Sequence, residues 1–423
     1  MLTTRPRGTN DLLPEELVKW HYVEGVLHQV AELYGYQEIR TPIFEHTELF
    51  QRGVGESTDI VEKEMYTFLD RGKRSLTLRP EATASTVRAF LEHKLYAGSL
   101  PVKLYYLGPM FRYDRPQAGR YRQFHQFGVE VFGAQEPSID AEVIAMAMDI
   151  YQRLGLQNLV VELNSVGCPD CRQAHRRVLQ EYLKEKLTDL CPTCQGRFEK
   201  NPLRILDCKS EQCGEIVAEA PTIDQMLCDD CHSHFQLVQE YLQKLQVPYT
   251  LNPRLVRGLD YYTKTAFEIV AQGIGAQSSI GGGGRYDHLI EECGGSPLPG
   301  IGYAMGIERI ILTLEEQGIE FPHQTKTDVF IAALGKTAQK KGIKIAQDLR
   351  KAGLVVECDY LGRSLKAQLK AANRLQAQTT VILGEAELAN GQVIVREMKE
   401  GLQEEVPLEE LVASLVQGKK EEK

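Results

Sequence analysis

The sequence predicts a large α+β unit followed by a small α/β unit, and three observations carry that expectation. Beyond residue 328 strand and helix patterns alternate: strands at 328–334, 355–360, 379–383 and 392–398, helices at 337–353, 363–376 and 407–417. Such alternation predicts a small parallel or mixed sheet with helices on both faces. Earlier in the chain, the apolar runs 103–107 and 126–132 flank a polar, charged loop at 112–122 and read as an antiparallel hairpin. Between the two regions, eight of the ten cysteines fall from Cys168 to Cys231, in a stretch that breaks the strand pattern as an insertion would.

The elements follow in order. Residues 1–14 are an irregular start. Leu17, Val18, Val23, Val26, Leu27, Val30 and Leu33 recur at helical spacing over 15–34. Residues 36–42 read as a strand stopped by Pro42, and 75–80 has the same form, ending at Pro80. An amphipathic helix is expected at 138–154 and a strand at 159–163. After the insertion, 168–250, a strand resumes at 265–270, then come four glycines, 281–284, and a helical stretch after Ala304. Residues 318–327 read as a linker, and 418–423 as a charged, frayed tail. The expected division is 1–325, interrupted by 168–250, and 326–423.

The 423 residues suffice for about three domains of ~100–200 residues. A net charge of −9, from 49 basic and 58 acidic residues, excludes a uniformly basic nucleic-acid coat, though not local basic surfaces. No apolar run approaches the ~18–20 residues that span a bilayer, and the polar first residues show no secretory signal. The expected location is the cytoplasm, away from membranes. In a reducing compartment, clustered cysteines are metal ligands more often than disulfides.

Several segments carry candidate chemistry. Arg112, in Phe111-Arg112-Tyr113-Asp114-Arg115, and Arg309, at the end of 302–309, each lie beside a strand or at a helix start. Guanidinium groups bind phosphate oxygens bidentately and stack on flat rings, so the pair suits the two ends of a nucleotide triphosphate. Surface ion pairs are the alternative for each alone. Arg257 with Tyr261 and Tyr262 adds a third arginine beside two tyrosines, or else an ordinary strand end. The run Gly281 to Gly284 before Arg285 and Tyr286 implies either close backbone approach to a ligand or a flexible loop. Its spacing is not that of a dinucleotide fingerprint, and Gly335-Lys336-Thr337 is not a P-loop because Phe330 stands where glycine is required.

Cys168/Cys171, Cys191/Cys194 and Cys228/Cys231 are C-x-x-C pairs, and Cys208 with Cys213 forms a looser fourth. Each C-x-x-C puts two thiolates on one tight turn, and two such turns complete a tetrahedral zinc site. Eight thiols would hold two zinc ions, or one with thiols to spare; buried free thiols are the alternative. His232 and His234 are substitute ligands or surface residues. Near the C-terminus Arg363, Lys366, Lys370 and Arg374 fall at near-helical spacing with no acid between them, as an RNA phosphate stripe or as a solvated helix face.

Taken together, these blocks resemble the class II aminoacyl-tRNA synthetases, and among them the histidyl family. The strand ending at Pro42 is similar to the first class motif, at a dimer interface; 111–132 to the second; 302–309 to the third. Residues 255–262 and 282–287 resemble the two segments peculiar to histidyl enzymes, and the opening 7–11 also fits. The resemblance implies a six-stranded antiparallel catalytic sheet, a C-terminal anticodon-binding domain, a homodimer, and ligation of histidine to its tRNA with ATP and magnesium. It implies that Arg112 binds the ATP α-phosphate, that Arg309 holds the γ-phosphate near the adenine, and that Gly282, Gly283 and Gly284 approach ATP. Arg257 would sit at the α-phosphate. Glu81, Thr83 and Gln126 would hold the histidine amino group, Glu130 and Tyr262 the imidazole nitrogens, with Tyr261 and Tyr286 lining the pocket. Arg115, Gln117 and Arg120 would meet the tRNA near an extra 5′ guanosine. Ala82 departs from the family, which often has glycine there. Two rivals are a non-catalytic paralogue that regulates an ATP phosphoribosyltransferase and an RNA-binding sensor. The first lacks the C-terminal domain and some of these arginines, and the second needs no histidine pocket.

Overall fold

The structure is a computed structural model that describes residues 3–421 apart from 56–57, 118, 209, 273–278 and 323–326. It comprises two compact units, Met1–Phe321 and Pro322–Lys423. The expected boundary at 325/326 and part of the linker at 318–327 lie outside the described residues.

The first unit is built on a sheet of eight strands: β1 (Gln37–Glu38), β2 (Val102–Phe111), β3 (Gln123–Phe132), β4 (Leu159–Ser165), β5 (Tyr249–Leu251), β6 (Thr263–Ala271), β7 (Ser279–Arg285) and β8 (Gly300–Gly306). Their order is β1-β2-β3-β8-β7-β6-β4-β5. The sheet is mixed, which corrects the expectation of a six-stranded antiparallel one. The central strands pair antiparallel, but β1 joins β2 in parallel and β5 joins β4 in parallel. These edge strands are two and three residues long, too short to show a period-two pattern. The strand expected over 36–42 is thus mostly irregular chain.

The hairpin β2–β3 extends beyond its apolar runs, pairing Val102 with Phe132 and Phe111 with Gln123. Tertiary pairing carries polar residues such as Gln123 and His125 into the ladder. Alternation then sorts the strands by face. Phe127, Val129, Val131, Phe267, Ile269, Ile301, Tyr303 and Met305 point to one side and are buried. They pack under helices α1 (Pro14–Leu33), α3 (Pro137–Arg153) and α8 (Ile307–Glu316). The opposite face carries the pocket, beside helix α2 (Thr83–Glu92).

The insertion is helical: α4 (Pro169–Lys184), α5 (Pro192–Lys200), α6 (Glu211–Ala218) and α7 (Asp229–Lys244). It has a small core of its own around Leu179, Leu183, Phe198, Ile205 and Val217.

In the second unit β9 (Thr327–Ala333), β10 (Val356–Cys358), β11 (Ala377–Leu383), β12 (Gln392–Glu397) and β13 (Gln403–Pro407) form a five-stranded sheet, ordered β10-β9-β11-β12-β13. The first three are parallel and the last two antiparallel additions. Val329 and Ile331 pack under α9 (Lys336–Lys351) and α11 (Leu411–Glu421), whereas Phe330 and Ala332 pack under α10 (Leu365–Arg374). Both faces are covered, as the alternating pattern predicted. The strand β13 was not foreseen, because Gln403-Glu404-Glu405 reads as loop.

Candidate active site

The glycine run is not a loop. It is β7, a central strand, and its neighbours explain its composition. Across the sheet Glu130 faces Gly302, Gly302 faces Gly284, and Gly282 faces Glu268. Gly128, Gly302, Ala304, Gly306, Gly282 and Gly284 therefore share the pocket face and give it a floor almost without side chains. A Cβ at Gly302 would lie 2.1 Å from Glu130 Oε2, and one at Gly282 would lie 2.8 Å from Arg257 Nη1. The glycines let long side chains from other elements lie flat on the sheet. Gly283 points the other way, where a Cβ would meet the Gly302 carbonyl oxygen at 2.0 Å.

The floor and its walls enclose a cleft of about 390 Å³. Of the residues singled out from sequence, it brings together Glu81, Thr83, Gln126, Glu130, Tyr261, Tyr262, Tyr286, Arg112, Arg257, Arg309, Gly282 and Arg120. Gly283, Gly284, Arg115 and Gln117 do not line it. Arg115 and Gln117 sit on the hairpin loop, in which Arg120 bonds Asp114 at 3.1 Å.

Glu130 lines the cleft and is fully buried. Thr83 Oγ1 donates to its Oε1 at 2.8 Å, Tyr106 OH donates to the same oxygen at 3.2 Å, and Tyr286 OH donates to Oε2. Burial pushes its pKa up to about 8, against the pull of these hydroxyls. Glu81 accepts from the amides of Thr83 (2.7 Å) and Ala84 (3.0 Å) at the start of α2, where an acid also meets the positive helix end. Burial raises its pKa too. Gln126 Oε1 is buried without a protein partner, an acceptor left for a ligand N–H. Ala82 adopts φ −117°, ψ −6°, ordinary for any residue, so its methyl strains nothing.

Three arginines also line the cleft. Arg112 Nε donates to the Pro80 carbonyl at 2.8 Å, and its guanidinium lies 5.3 Å from the Phe124 ring. Arg309 Nη1 donates to the Ser279 carbonyl at 2.6 Å. Burial lowers the pKa of both, against the opposing pull of Glu64 and Glu81 on Arg112 and of Glu268 on Arg309. Arg257 pairs with Glu268 and lies 5.9 Å from the Tyr262 ring; its Nε is buried without a partner. Tyr106, Glu64 and Glu268 also line the cleft. Sequence reading missed them; only the alternation of β2 and β6 could have flagged Tyr106 and Glu268.

Outside the cleft, the eight cysteines gather into two groups: Cys168, Cys171, Cys228 and Cys231, and Cys191, Cys194, Cys208 and Cys213. Within each, all Sγ atoms lie within 4.8 Å of one another. His234 belongs to neither group and is not a surface residue; it is buried against Asp140 at 2.8 Å, while His232 is exposed. Arg363 precedes α10 and its amide bonds Asp359 at 2.8 Å, so the basic face of that helix consists of Lys366, Lys370 and Arg374, all exposed.

A buried carboxylate pocket and several arginines over an antiparallel-centred sheet, joined to a separate α/β unit, form the architecture of a class II aminoacyl-tRNA synthetase. Residues 8–310 match the family described as histidyl-tRNA synthetase, and 328–418 match the anticodon binding domain. The histidine–tRNA ligase of Desulforamulus reducens is 65% identical over 412 residues, 97% of this chain and 98% of the relative. That of Moorella thermoacetica is 62% identical, covering 97% of each. The crystal structure of apo S. aureus histidyl-tRNA synthetase superposes with a TM-score of 0.84 at 42% identity, covering 98% of this chain and 100% of that one. The chain belongs to the histidyl-tRNA synthetase family, and its function is to join histidine to tRNA.

Proposed function

We propose that the cleft activates histidine beside Glu130 and ATP beside its arginines. The observation that carries this is that one cleft gathers a buried carboxyl group, Glu130, ringed by hydroxyls, together with three arginines, Arg112, Arg257 and Arg309. The imidazole lies against Glu130 and Tyr262, beside Tyr261 and Tyr286, and the amino group is held by Glu81, Thr83 and Gln126. A buried acceptor that only an N–H can satisfy rejects apolar side chains of the same size. Arg112 and Arg257 hold the α-phosphate, where negative charge grows as the histidine carboxylate attacks and pyrophosphate leaves. Arg309 holds the γ-phosphate. Preorganised cations of this kind lower the barrier without reorganisation. Gly282 lets the nucleotide approach the sheet; Gly283 and Gly284 serve by their lack of bulk in the strand.

Magnesium takes oxygen ligands, which the carboxylates of Glu64 and Glu268 beside the arginines supply; bound with ATP, it neutralises triphosphate charge. Residues 1–325, apart from 168–250, act as the catalytic domain and 326–423 as the anticodon-binding domain. Arg115, Gln117 and Arg120 face the tRNA acceptor end, and Arg363, Lys366 and Lys370 the anticodon arm. The enzyme works in the cytoplasm as a homodimer joined near Pro42. The cysteines lie outside the cleft, so a metal held there shapes structure and does not touch the reacting atoms.

Equilibrium binding of histidine to Glu130→Gln tests the pocket. A bound imidazole N–H draws Glu130 into its ionised form, which glutamine cannot adopt, so binding should weaken by about 1.5–3 kcal/mol. Unchanged affinity would place histidine elsewhere.

A further inference from the structure

We infer that Cys191, Cys194, Cys208 and Cys213 hold one zinc ion that clasps residues 195–207 into a strap positioning the Arg257 loop, while the other four cysteines hold a second zinc ion. The coupling to Arg257 rests on the site proposed above; the metal sites do not.

The geometry of each group is that of a tetrathiolate site. Zinc–sulfur bonds of ~2.3 Å in a tetrahedron place sulfurs roughly 3.8 Å apart. Cys191 and Cys208 Sγ are 3.8 Å apart, and Cys168 and Cys171 Sγ are 3.5 Å apart. A disulfide needs ~2.05 Å, and all ten cysteines are free thiols. The first cysteine of each C-x-x-C sits at a helix N-cap: Cys168 before α4, Cys191 before α5, Cys228 before α7. The positive helix end favours the thiolate that zinc requires. Backbone amides also turn toward the sulfurs: Cys191 N donates to Cys213 Sγ at 3.2 Å and Cys228 N to Cys171 Sγ at 3.1 Å. Such outer contacts orient metal ligands. Gly167, at φ +66°, makes room for the first turn, since a Cβ there would lie 2.5 Å from Cys171 Cβ.

The second group has a consequence for the reaction. Residues 252–262, which include Arg257, Tyr261 and Tyr262, run between β5 and β6 without helix or strand. An irregular segment must be held by side chains. Asn164 Nδ2 donates to the Leu255 carbonyl at 2.9 Å and Arg172 Nη1 to the Asp260 carbonyl at 3.0 Å, and the other holders come from the strap. Arg204 Nη1 donates to the Arg257 carbonyl at 3.1 Å, and Asn201 Nδ2 donates to Asp260 Oδ1 at 3.1 Å. Val256 packs onto the core of Leu179, Phe198 and Ile205. Arg197 ties the strap to Asp59 at 3.0 Å. Cys191 and Cys194 close one end of this strap, and Cys208 and Cys213 the other. Four thiolates on one ion close this largely helical segment, which runs from α5 through a tight turn at Pro202–Ile205, into a loop. Arg204 is thus a positioning residue, acting through the backbone of Arg257.

The test combines metal content with kinetics on the full chain. Elemental analysis of protein made with ample zinc should give two zinc ions per chain. The Cys208→Ser/Cys213→Ser double variant should give one, and its kcat/KM in histidine-dependent pyrophosphate exchange should fall ~10–100-fold. Arg204→Ala should keep both zinc ions and reproduce the kinetic loss, chiefly in kcat, with part restored in Arg204→Lys. Native protein without zinc, or with iron in its place, would overturn the metal assignment. Full activity of Arg204→Ala with both ions present would overturn the strap. Neither reading depends on whether the double variant folds, and neither is touched by the histidine affinity of Glu130→Gln.

Discussion

At the scale of single residues, the protein carries a liability where it recognises its substrate. Glu130 is a carboxyl group buried in a cleft whose floor is mostly glycine, bonded among the described residues by three hydroxyls and no cation. Its ordinary pKa of 4.5 rises to about 8 by burial. The sign of the linkage follows. The folded protein keeps this proton while the unfolded chain releases it, so the contribution to stability is full below pH 4.5 and is lost as pH rises toward about 8. Glutamine cannot titrate. The stability of Glu130→Gln relative to the parent should therefore improve from pH 5 to pH 9, read from thermal unfolding in both buffers. A difference that stays constant would mean that Glu130 is already ionised in the free protein. Most of the cleft was legible at this scale, because the arginines, tyrosines and acids stand in recognisable blocks. Glu268 and Tyr106 were not, since a lone charged or aromatic residue in a strand gives no sign of the face it takes.

At the scale of elements, legibility followed length and periodicity. The long amphipathic helices and the alternating second unit read correctly because their apolar spacing is set by their own packing. The strand β7 did not, because glycine has low strand propensity and only the neighbouring strands explain it. The same strand ends in a buried network that sequence did not reveal. Arg285 pairs with Asp140 of α3 and donates to the Ala134 carbonyl at 2.9 Å. Asp140 also accepts from Thr265 at 2.6 Å and bonds His234 of α7 at 2.8 Å. One carboxylate therefore joins two strands, a core helix and the insertion. Burial opposes its charge, but Arg285 and His234 outweigh that and hold its pKa below 3.8. The depressed group contributes stability above that ordinary value and loses it as pH falls through the native one. Asp140→Ala leaves the buried Arg285 with Asp287, at 3.2 Å, as its remaining carboxylate and should cost about 3 kcal/mol in urea unfolding at neutral pH. A cost below about 1 kcal/mol would show that water already reaches the guanidinium.

At the scale of the whole molecule, the two units have separate cores and separate tasks. The first contains every residue of the cleft; the second presents Lys366 and Lys370 on an exposed helix face. Among the described residues no helix is long and apolar enough to cross a membrane. The central claim is that the cleft of the first unit performs the chemical step and that Arg257 acts where phosphate charge develops. Pyrophosphate exchange into ATP, driven by histidine, measures that step without tRNA. The parent should exchange with histidine alone among the amino acids. Arg257→His should fold as the parent does, bind histidine with similar affinity, and lose about 10²–10³ in kcat. Near-normal exchange by Arg257→His, with histidine still bound, would contradict the account.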